Sequence, residues 1–334
     1  MEKKYYVGMD IHKAKTYAIA KDEEGNKVAE DEFRNTKEKF LNFLKDLPNT
    51  STKIVIESTG VWEYIYSILD ELGYEVKLAN PFKTKAIAYA KIKTDKIDAN
   101  TLCDLLRGDL IAECYIPKKE IRELRDLTRM RGTFVKEGTR LKNHIRAHLN
   151  KRGIKVNSRF IGKKAIKDLS ETYKDDYVLI TYLQRLQEHK KQMLFIEKLI
   201  YGIAIKNHQT ILLMTIPGIA EVRALQIISE IGDINRFDSS EKLASFCGLV
   251  PGIRQSANTI KVGRLVKAAN KNLKFVFIEA SWNIIRTPGK NRFREFFDKL
   301  SEKKGEQKAI CAVARKLCCT TYAMLKNDRE FIFL

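Results

Sequence analysis

The sequence predicts a mixed α/β domain at the N-terminus, a long basic helical connector or coiled-coil arm, and a mainly helical C-terminal domain. Short strand-like segments alternate with helix-like segments over the first 115 residues. Lys and Arg then crowd into residues 118–167, and apolar residues recur at helical spacing beyond them. We therefore expect three parts, residues 1–115, 116–208 and 209–334.

The composition limits the classes of protein to which the chain can belong. Its 334 residues are 44% hydrophobic, which is enough for well-packed cores. The formal net charge of +20 favours a polyanionic partner, although a basic chain can also be merely soluble or bind membranes. No apolar run approaches the roughly 20 residues of a membrane span, and we expect no signal peptide ahead of Asp10.

Cysteine usage predicts a reducing environment. The six cysteines contain no C-x-x-C pair and lie in apolar, helix-like surroundings. We expect buried free thiols in a cytoplasmic protein and neither disulfides nor a zinc site. The residues concerned are Cys103, Cys114, Cys247, Cys311, Cys318 and Cys319.

The first three elements are predicted strands. Residues 5–10 form an apolar run that ends in an acid, and residues 16–21 alternate and are rich in β-formers. A turn at residues 22–26 leads to a third strand over residues 27–33. These three segments predict an antiparallel meander.

Strands and helices alternate after the meander. A helix follows Thr36, and a short apolar strand ends at Glu57. A helix ending before Gly73, a strand over residues 75–78 and a helix from Pro81 complete the order β-β-β-α-β-α-β-α-α. That order matches the ribonuclease-H-like fold, in which the first and fourth strands are neighbours and their ends meet. We therefore expect Asp10 and Glu57, at the ends of these two strands, to lie close together.

A second acidic pair, Asp95 and Asp98, begins a helix-like run. Residues three apart share a helix face, so the two carboxylates repel each other unless a cation lies near them. A terminal helix packed on the sheet can deliver them to Asp10 and Glu57. Four carboxylates suit Mg²⁺, or Mn²⁺, in two-metal phosphodiester chemistry.

Each acid also has a simpler interpretation. A solvated surface carboxylate is the default, and Asp95 and Asp98 suit helix capping. Asp10 and Glu57 depart from the default because each ends an apolar strand, where a charge is costly unless it is used. His12, close to Asp10, is either a proton carrier or a structural or surface histidine.

The connector is strongly basic. Residues 118–167 hold 17 Lys and Arg against four Asp and Glu, together with an apolar stripe typical of an amphipathic helix. Residues 179–203 continue with apolar positions at 3/4 spacing, which is typical of a coiled coil or a helical hairpin. The stripe packs either on its own chain or on a second copy. His144 and His148 could form a metal pair, face nucleic acid or face solvent.

The C-terminal part contains an acid-free stretch from residue 251 to residue 278. Ser256 lies within it, in a predicted loop. Its surroundings suit a phosphate contact, and they could also stabilise an attacking alkoxide. The basic residues of the stretch are Arg254, Lys261, Arg264, Lys267, Lys271 and Lys274.

Two sets of motifs resemble the DEDD transposases of bacterial and archaeal insertion sequences, which have a RuvC-like N-terminal domain. The first set is the acidic pattern Asp10, Glu57 and the K-T-D-K-I-D-A segment that contains Asp95 and Asp98. The second set lies in the C-terminal half, in the family's order: Ile216–Ile219, Ile231–Ile234 with Phe237, Gly248–Pro251, Arg254–Ser256, Lys261 and Gly263–Arg264 with Lys267.

The resemblance implies properties that spacing does not. The acidic quartet would bind Mg²⁺, and Ser256 would form a covalent phosphoserine link to DNA. The protein would be a homo-oligomer, a dimer or tetramer. Its composite active site would combine the domain with the acidic quartet from one protomer and the domain with Ser256 from another. A structured non-coding bridge RNA would pair with donor and target DNA. The basic helices with Arg140, Lys142 and Arg146, and the serine region, would hold DNA and RNA.

Three other functions compete with an RNA-guided recombinase. A junction resolvase or nuclease would hydrolyse DNA with the quartet and use Ser256 only as a phosphate contact. A sugar-kinase-like or actin-like ATPase shares the core fold, but its phosphate hairpin after the first strand needs small residues, and the turn Ile11–Lys15 has no glycine. A non-catalytic nucleic-acid-binding protein would use the charge alone.

Overall fold

The computed structural model describes residues 3–88, 94–156, 162–256, 259–289 and 291–332, without the side chains at 163 and 253–262. The chain forms two compact units, Met1–Ile116 and Pro117–Leu334. The further predicted boundary between residues 208 and 209 stays a prediction. Residues 91 and 92, and Lys93 at the start of the K-T-D-K-I-D-A segment, lie outside the described residues.

A five-stranded sheet forms the centre of the first unit. Its order is β3-β2-β1-β4-β5, with β1 antiparallel to β2 and parallel to β4. The predicted meander and the predicted contact between the first and fourth strands are confirmed. The strands are β1 (Tyr5–Ile11), β2 (Lys15–Asp22), β3 (Lys27–Arg34), β4 (Thr52–Glu57) and β5 (Glu75–Ala79).

The two faces of β1 have different neighbours because successive side chains of a strand point to opposite sides. Val7, Met9 and Ile11 belong to the larger core of the unit, which includes Phe40. Tyr6 packs on the opposite face, against a smaller apolar cluster to which the helix α4 (Asp95–Arg107) contributes Leu102 and Leu106. Asp10 follows the alternation of Tyr6 and therefore lies on the α4 face.

Three helices, the first, second and fourth of the unit, pack on the sheet, and a short third helix follows the last strand. Phe40 and Leu44 are the buried residues of the first helix, as its apolar spacing predicts. Gly73 follows the second helix with φ +80°, a conformation that favours glycine and stops the helix. The helices are α1 (Lys37–Leu44), α2 (Trp62–Glu71), α3 (Pro81–Ile87) and α4 (Asp95–Arg107).

The second unit is mainly helical. Its largest core draws buried residues from the six helices between residues 208 and 327. The helices are α5 (Lys119–Asn150), α6 (Lys163–Thr172), α7 (Tyr177–Ala204), α8 (His208–Met214), α9 (Glu221–Ile231), α10 (Ser240–Phe246), α11 (Lys271–Ile284), α12 (Arg292–Lys304) and α13 (Glu306–Asn327), with a 3₁₀ turn at Ile234–Arg236.

The long helices α5 and α7 pack against each other. Gly138 makes the contact close, because a Cβ atom there would lie 2.6 Å from Cε1 of His189. The His189 ring also lies 2.8 Å, through Nε2, from the Phe134 carbonyl oxygen. The pair agrees with a helical arm that packs on its own chain, and coiled-coil geometry stays a prediction.

A two-stranded hairpin interrupts the helices of the second unit, where the sequence predicted a loop. Strands β6 (Pro251–Ser256) and β7 (Thr259–Leu265) pair antiparallel. Ile260 and Val262 alternate with polar residues along β7. This alternation is the signal for a strand, but the high charge of the stretch obscured it.

The cysteines are all free thiols in the structure, and all six lie in the described ranges. Free thiols were predicted, and burial is confirmed for Cys103, Cys247 and Cys318. The other three cysteines, Cys114, Cys311 and Cys319, are only half-buried. Burial raises the pKa of the Cys103 thiol to about 11, so it is unreactive near neutral pH.

Candidate active site

Asp10 and Glu57 lie at the ends of neighbouring parallel strands. The register pairs Met9 of β1 with Ile56 of β4, and the two acids are the next residues along their strands. Laterally adjacent residues of a sheet point to the same face. Asp10 and Glu57 therefore share the α4 face at the carboxyl edge of the sheet, as the fold prediction requires.

Gly8 allows α4 to lie directly on β1. A Cβ atom at this position would stand 2.2 Å from the Ala99 carbonyl oxygen. The Cys103 thiol donates a hydrogen bond to the Tyr6 carbonyl at 3.1 Å. Because Gly8 faces Ala99 and Tyr6 faces Cys103, the helix runs antiparallel to the strand. Its N-terminal turn thus reaches the end of β1 that carries Asp10.

The first turn of α4 carries the second acidic pair. The Thr94 hydroxyl caps the helix by accepting a hydrogen bond from the Ile97 backbone N–H at 3.2 Å. Asp95 and Asp98 are therefore helical residues of the first turn and do not occupy the cap position. Both side chains are half-buried.

Asp10, His12 and Asp95 form a compact cluster. The His12 Nε2 atom lies 3.3 Å from an Asp10 carboxylate oxygen and 3.2 Å from one of Asp95. One ligand atom from each residue lies within 4.8 Å of the others. Among the described residues, this is the single group of three or more His, Cys, Asp and Glu with that spacing, and Glu57 and Asp98 lie outside it.

Cations balance the charge of Asp95. The Lys15 ammonium lies 3.5 Å from Asp95 and also contacts Glu32. Burial alone would raise the pKa of the Asp95 carboxyl, but the hydrogen bond and charge of His12 and the charge of Lys15 hold that pKa below its usual value. Asp95 is therefore ionised at neutral pH.

The donor atoms of the cluster suit a divalent cation. Two oxygen ligands of one Mg²⁺ ion each lie about 2.0–2.1 Å from the ion, so they approach within about 4 Å of each other. The spread within the cluster is only slightly larger. Asp10 and Asp95 supply carboxylate oxygens, which Mg²⁺ and Mn²⁺ prefer, whereas an imidazole nitrogen suits other metals better.

The structure places His12, predicted as a proton carrier or a structural or surface histidine, against both acids, and it adds Lys15, which the sequence did not indicate. A histidine two residues beyond a strand-end acid points to the same face as that acid, and this spacing was the available signal. Lys15 begins β2, and only the antiparallel return of that strand brings it back to the acids. Its role depends on tertiary structure.

The hairpin β6–β7 carries the serine region of the predicted site. Ser256 ends β6 and pairs with Thr259 across the hairpin, while residues 257 and 258 lie outside the described residues. The side chains of Ser256, Arg254 and Lys261 also lie outside the description. Arg264 and Lys267 are exposed, as a nucleic-acid contact requires.

A buried carboxylate lies beside the stem of this hairpin, and sequence reasoning did not identify it. Glu230 of α9 has no exposed side-chain surface. Its two oxygens accept a pair of hydrogen bonds from Arg129 at 2.7 and 2.8 Å and one bond each from Asn270 and Asn272 at 2.8 Å. The Asn270 N–H donates in turn to the Phe246 carbonyl, next to the hairpin.

The basic helix α5 exposes two of its three predicted nucleic-acid contacts. Arg140 and Arg146 are exposed, and Lys142 is half-buried. His144 stacks on Tyr182 with ring centroids 5.6 Å apart, and His148 lies 2.8 Å from the Asp176 carboxylate. The two histidines thus contact different partners in the structure.

Two family models match the chain. The DEDD transposase model of the IS110 group, described as "Transposase", matches residues 7–152. A second model, described as "Transposase IS116/IS110/IS902 family", matches residues 211–298. Together they cover more than half of the chain, and they agree on one group.

Curated relatives carry related names. The transposase for insertion sequence element IS1111A of Coxiella burnetii is 24% identical over 83% of this chain and 79% of its own length. The transposase for IS1328 of Yersinia enterocolitica is 22% identical, over 82% of each chain. The pilin gene-inverting protein of Moraxella bovis is 29% identical over 85% of this chain and 83% of its own.

Within the described ranges, no helix combines the length and the apolar character that crossing a membrane requires.

Proposed function

Since the chain belongs to the IS110-type family of insertion-sequence transposases, and is thus a DNA-recombining enzyme, we propose that it cuts and rejoins DNA with an Mg²⁺-dependent acidic site and a serine nucleophile. The observation that carries the proposal is the convergence of Asp10 and Asp95 at the carboxyl edge of a five-stranded sheet. Mn²⁺ is the alternative cation. The first unit would be the RuvC-like catalytic domain.

The acidic residues would act by binding and orienting. Asp10 and Asp95 would hold the cation, which when bound neutralises charge on the scissile phosphate. Glu57 and Asp98 would complete the metal site from the adjoining strand and helix turn. His12 would hold both carboxylates of the cluster in place, because its Nε2 lies within 3.3 Å of each.

Ser256 would supply the attacking oxygen. Its Oγ would form a bond to the phosphorus while the bond from phosphorus to one sugar oxygen breaks, and the released sugar oxygen would take up a proton. The reverse reaction on a new sugar hydroxyl would rejoin the strand without hydrolysis. Arg254, Lys261, Arg264 and Lys267 would bind neighbouring phosphates.

A structured RNA and a second copy of the chain would complete the enzyme. Residues 118–167 hold 17 Lys and Arg but only four Asp and Glu, and this positive charge supports a nucleic-acid partner of the connector. Arg140, Lys142 and Arg146 would be among the contacts. An exposed apolar face of α7 supports a homo-oligomer. It consists of Leu194, Phe195, Leu199 and Tyr201, and the exposed Ile205 directly follows the helix.

Capture of the covalent intermediate tests the serine. Labelled DNA that carries the element ends would be incubated with Mg²⁺ and the copurified RNA, and protein–DNA adducts would be resolved under denaturing conditions. We expect an adduct with the wild type and with Thr259→Ala, the hydroxyl residue directly across the hairpin. Ser256→Ala should give no adduct. Cleavage by Ser256→Ala at the wild-type rate would instead identify a hydrolytic nuclease or resolvase.

A second experiment tests the acids and the RNA. We expect Asp10→Ala and Asp98→Ala to lose cleavage while they bind DNA normally, which would exclude a purely non-catalytic binding protein. Ribonuclease treatment before DNA addition should abolish recombination at a defined site. Full activity after complete RNA removal would contradict RNA guidance but leave the metal site intact.

A further inference from the structure

Phe82 is the most exposed large apolar side chain of the described residues. Its side chain is 86% exposed, although it lies in the first turn of α3 and not at a chain end. A single exposed apolar residue is common and needs no explanation by itself. What distinguishes Phe82 is how firmly it is held, where it lies and what flanks it.

The turn that carries Phe82 is rigidly held. The Asn80 side-chain oxygen accepts hydrogen bonds from the backbone N–H groups of Phe82 at 3.1 Å and Lys83 at 3.2 Å. The Asn80 N–H donates to the Ala112 carbonyl at 2.9 Å. Pro81 fixes the first helical residue, and Thr84 of the same turn is buried. The backbone thus holds the ring outward at little further entropic cost.

The turn lies at the same edge of the sheet as the acidic cluster. Ala79, the last residue of β5, pairs with Glu57 of β4, and β4 in turn pairs with β1. Phe82 follows Ala79 by three residues in the chain. Two strand spacings, about 10 Å, separate the end of β5 from the end of β1. The ring is therefore within reach of a strand whose phosphate lies at the cluster.

The charge around Phe82 suits a polyanion. Lys83 and Lys85 are both exposed on the same helix. The sequence from Asn80 to Thr94 contains four Lys and no Asp or Glu, and it leads directly to Asp95. An exposed aromatic ring between cations is the arrangement that single-stranded nucleic acid binds, because bases stack on the ring while cations hold the backbone.

We infer that Phe82 is a stacking platform for an unpaired base of the DNA strand that the acidic cluster cuts, an inference that rests on the proposed function of that cluster. Lys83 and Lys85 hold the phosphates on either side of the stacked base. The site takes unpaired bases of any identity, since every base has a face that can stack. The platform keeps the strand open next to its scissile phosphate.

Binding measurements without metal test the platform separately from cleavage. The probes are a labelled 20-nucleotide single strand that contains 2-aminopurine, and the same strand in a duplex, both in EDTA. Phe82→Ala should weaken single-strand binding about 10-fold, since stacking contributes roughly 1–3 kcal/mol per base. Duplex binding should be unchanged. Phe82→Trp should retain single-strand binding and the quenching of 2-aminopurine.

The matched control is Tyr177→Ala, which removes an aromatic ring of similar exposure (82%) at the start of α7. It should bind both probes as the wild type does. Equal single-strand affinity of Phe82→Ala and wild type would overturn the inference, as would an equal loss on both probes. A change of oligomeric state in Phe82→Ala would assign the ring to a protein contact and overturn it too. Cleavage that fails while the binding difference persists would refute the proposed function alone.

Discussion

The two units of the molecule each contain a carboxylate centre, and the two centres are built in opposite ways. The cluster of Asp10, His12 and Asp95 is partly open to solvent, with Asp95 37% exposed and His12 46% exposed. Glu230 is fully buried, and four hydrogen bonds satisfy it. The first centre gathers negative charge toward a surface, whereas the second neutralises it inside the protein.

Burial and the set of hydrogen-bond partners distinguish a carboxylate that takes part in chemistry from one that stabilises the fold. A buried charge is tolerated only with a complete set of partners, so its removal or theirs is felt in stability. At the open centre His12 and Lys15 contact the carboxylates and solvent reaches part of the cluster, so removing one carboxylate should cost less stability than leaving Glu230 without Arg129. Four experiments sharpen this comparison.

The largest expected effect is on activity, at the open centre. Asp10→Asn should reduce strand cleavage about 10³-fold, because loss of a metal ligand removes several kcal/mol of charge stabilisation. The melting temperature should fall less than it does in Arg129→Ala. Asp104→Asn, a carboxylate of the same helix α4 that pairs with Lys21, is the control and should cleave normally. Equal activity of Asp10→Asn and wild type would remove Asp10 from the chemistry.

The second effect is on stability, at the buried centre. Arg129→Ala should lower the free energy of unfolding by about 3 kcal/mol, since it leaves Glu230 buried without its cation. Urea denaturation measures the change. Arg131→Ala is the matched control, because the pair of Arg131 and Glu197 is about one third exposed on both sides, and it should cost less than about 1 kcal/mol. Equal losses in the two variants would mean that burial of Glu230 does not govern its energetics.

The third experiment acts on the support of the open centre. Gly8→Ala should destabilise the protein by about 2 kcal/mol, because the added methyl group meets the backbone of α4. Cleavage should fall as well, because α4 carries Asp95. Gly60→Ala, where the Cβ atom meets nothing within 4 Å, should change neither quantity. Normal cleavage in Gly8→Ala would show that the centre tolerates movement of the helix.

The smallest effect is a pH dependence of the buried centre. Although burial would raise the pKa of Glu230, hydrogen bonds from Arg129, Asn270 and Asn272 hold it below the ordinary value of 4.5. A folded-state pKa below the unfolded one stabilises the fold above pH 4.5, and this contribution is lost as the pH falls through the folded value. The free energy of unfolding should decline less steeply below pH 4.5 in Glu230→Gln than in wild type. Parallel declines would contradict the assignment.

The sequence predicted the α/β unit well because its signals are local. Apolar runs, turns and caps define each strand and helix, and strand adjacency follows from their order. The convergence of Asp10 with α4 followed from the same order. Asp10, His12 and Asp95 form the compact trio, and the full quartet with Glu57 and Asp98 stays a prediction.

The rest depended on contacts between distant residues. Glu230 looks like any acid of an amphipathic helix until Arg129 and Asn270 are brought to it, some 101 and 40 residues away. The hairpin β6–β7 was missed because its cationic side chains mask the alternation of a strand. Buried polar networks have no periodic sequence signature, so pattern reasoning does not find them.

The close approach of α4 to Gly8 has a consequence for synthesis of the protein. Asp10 emerges from the ribosome long before Asp95, and β1 cannot bring the two together until α4 has been made and docked. A chain that ends prematurely before residue 95 has the strand and its acid but lacks the helix that completes the cluster. Under the proposed function, such a fragment would not cut DNA.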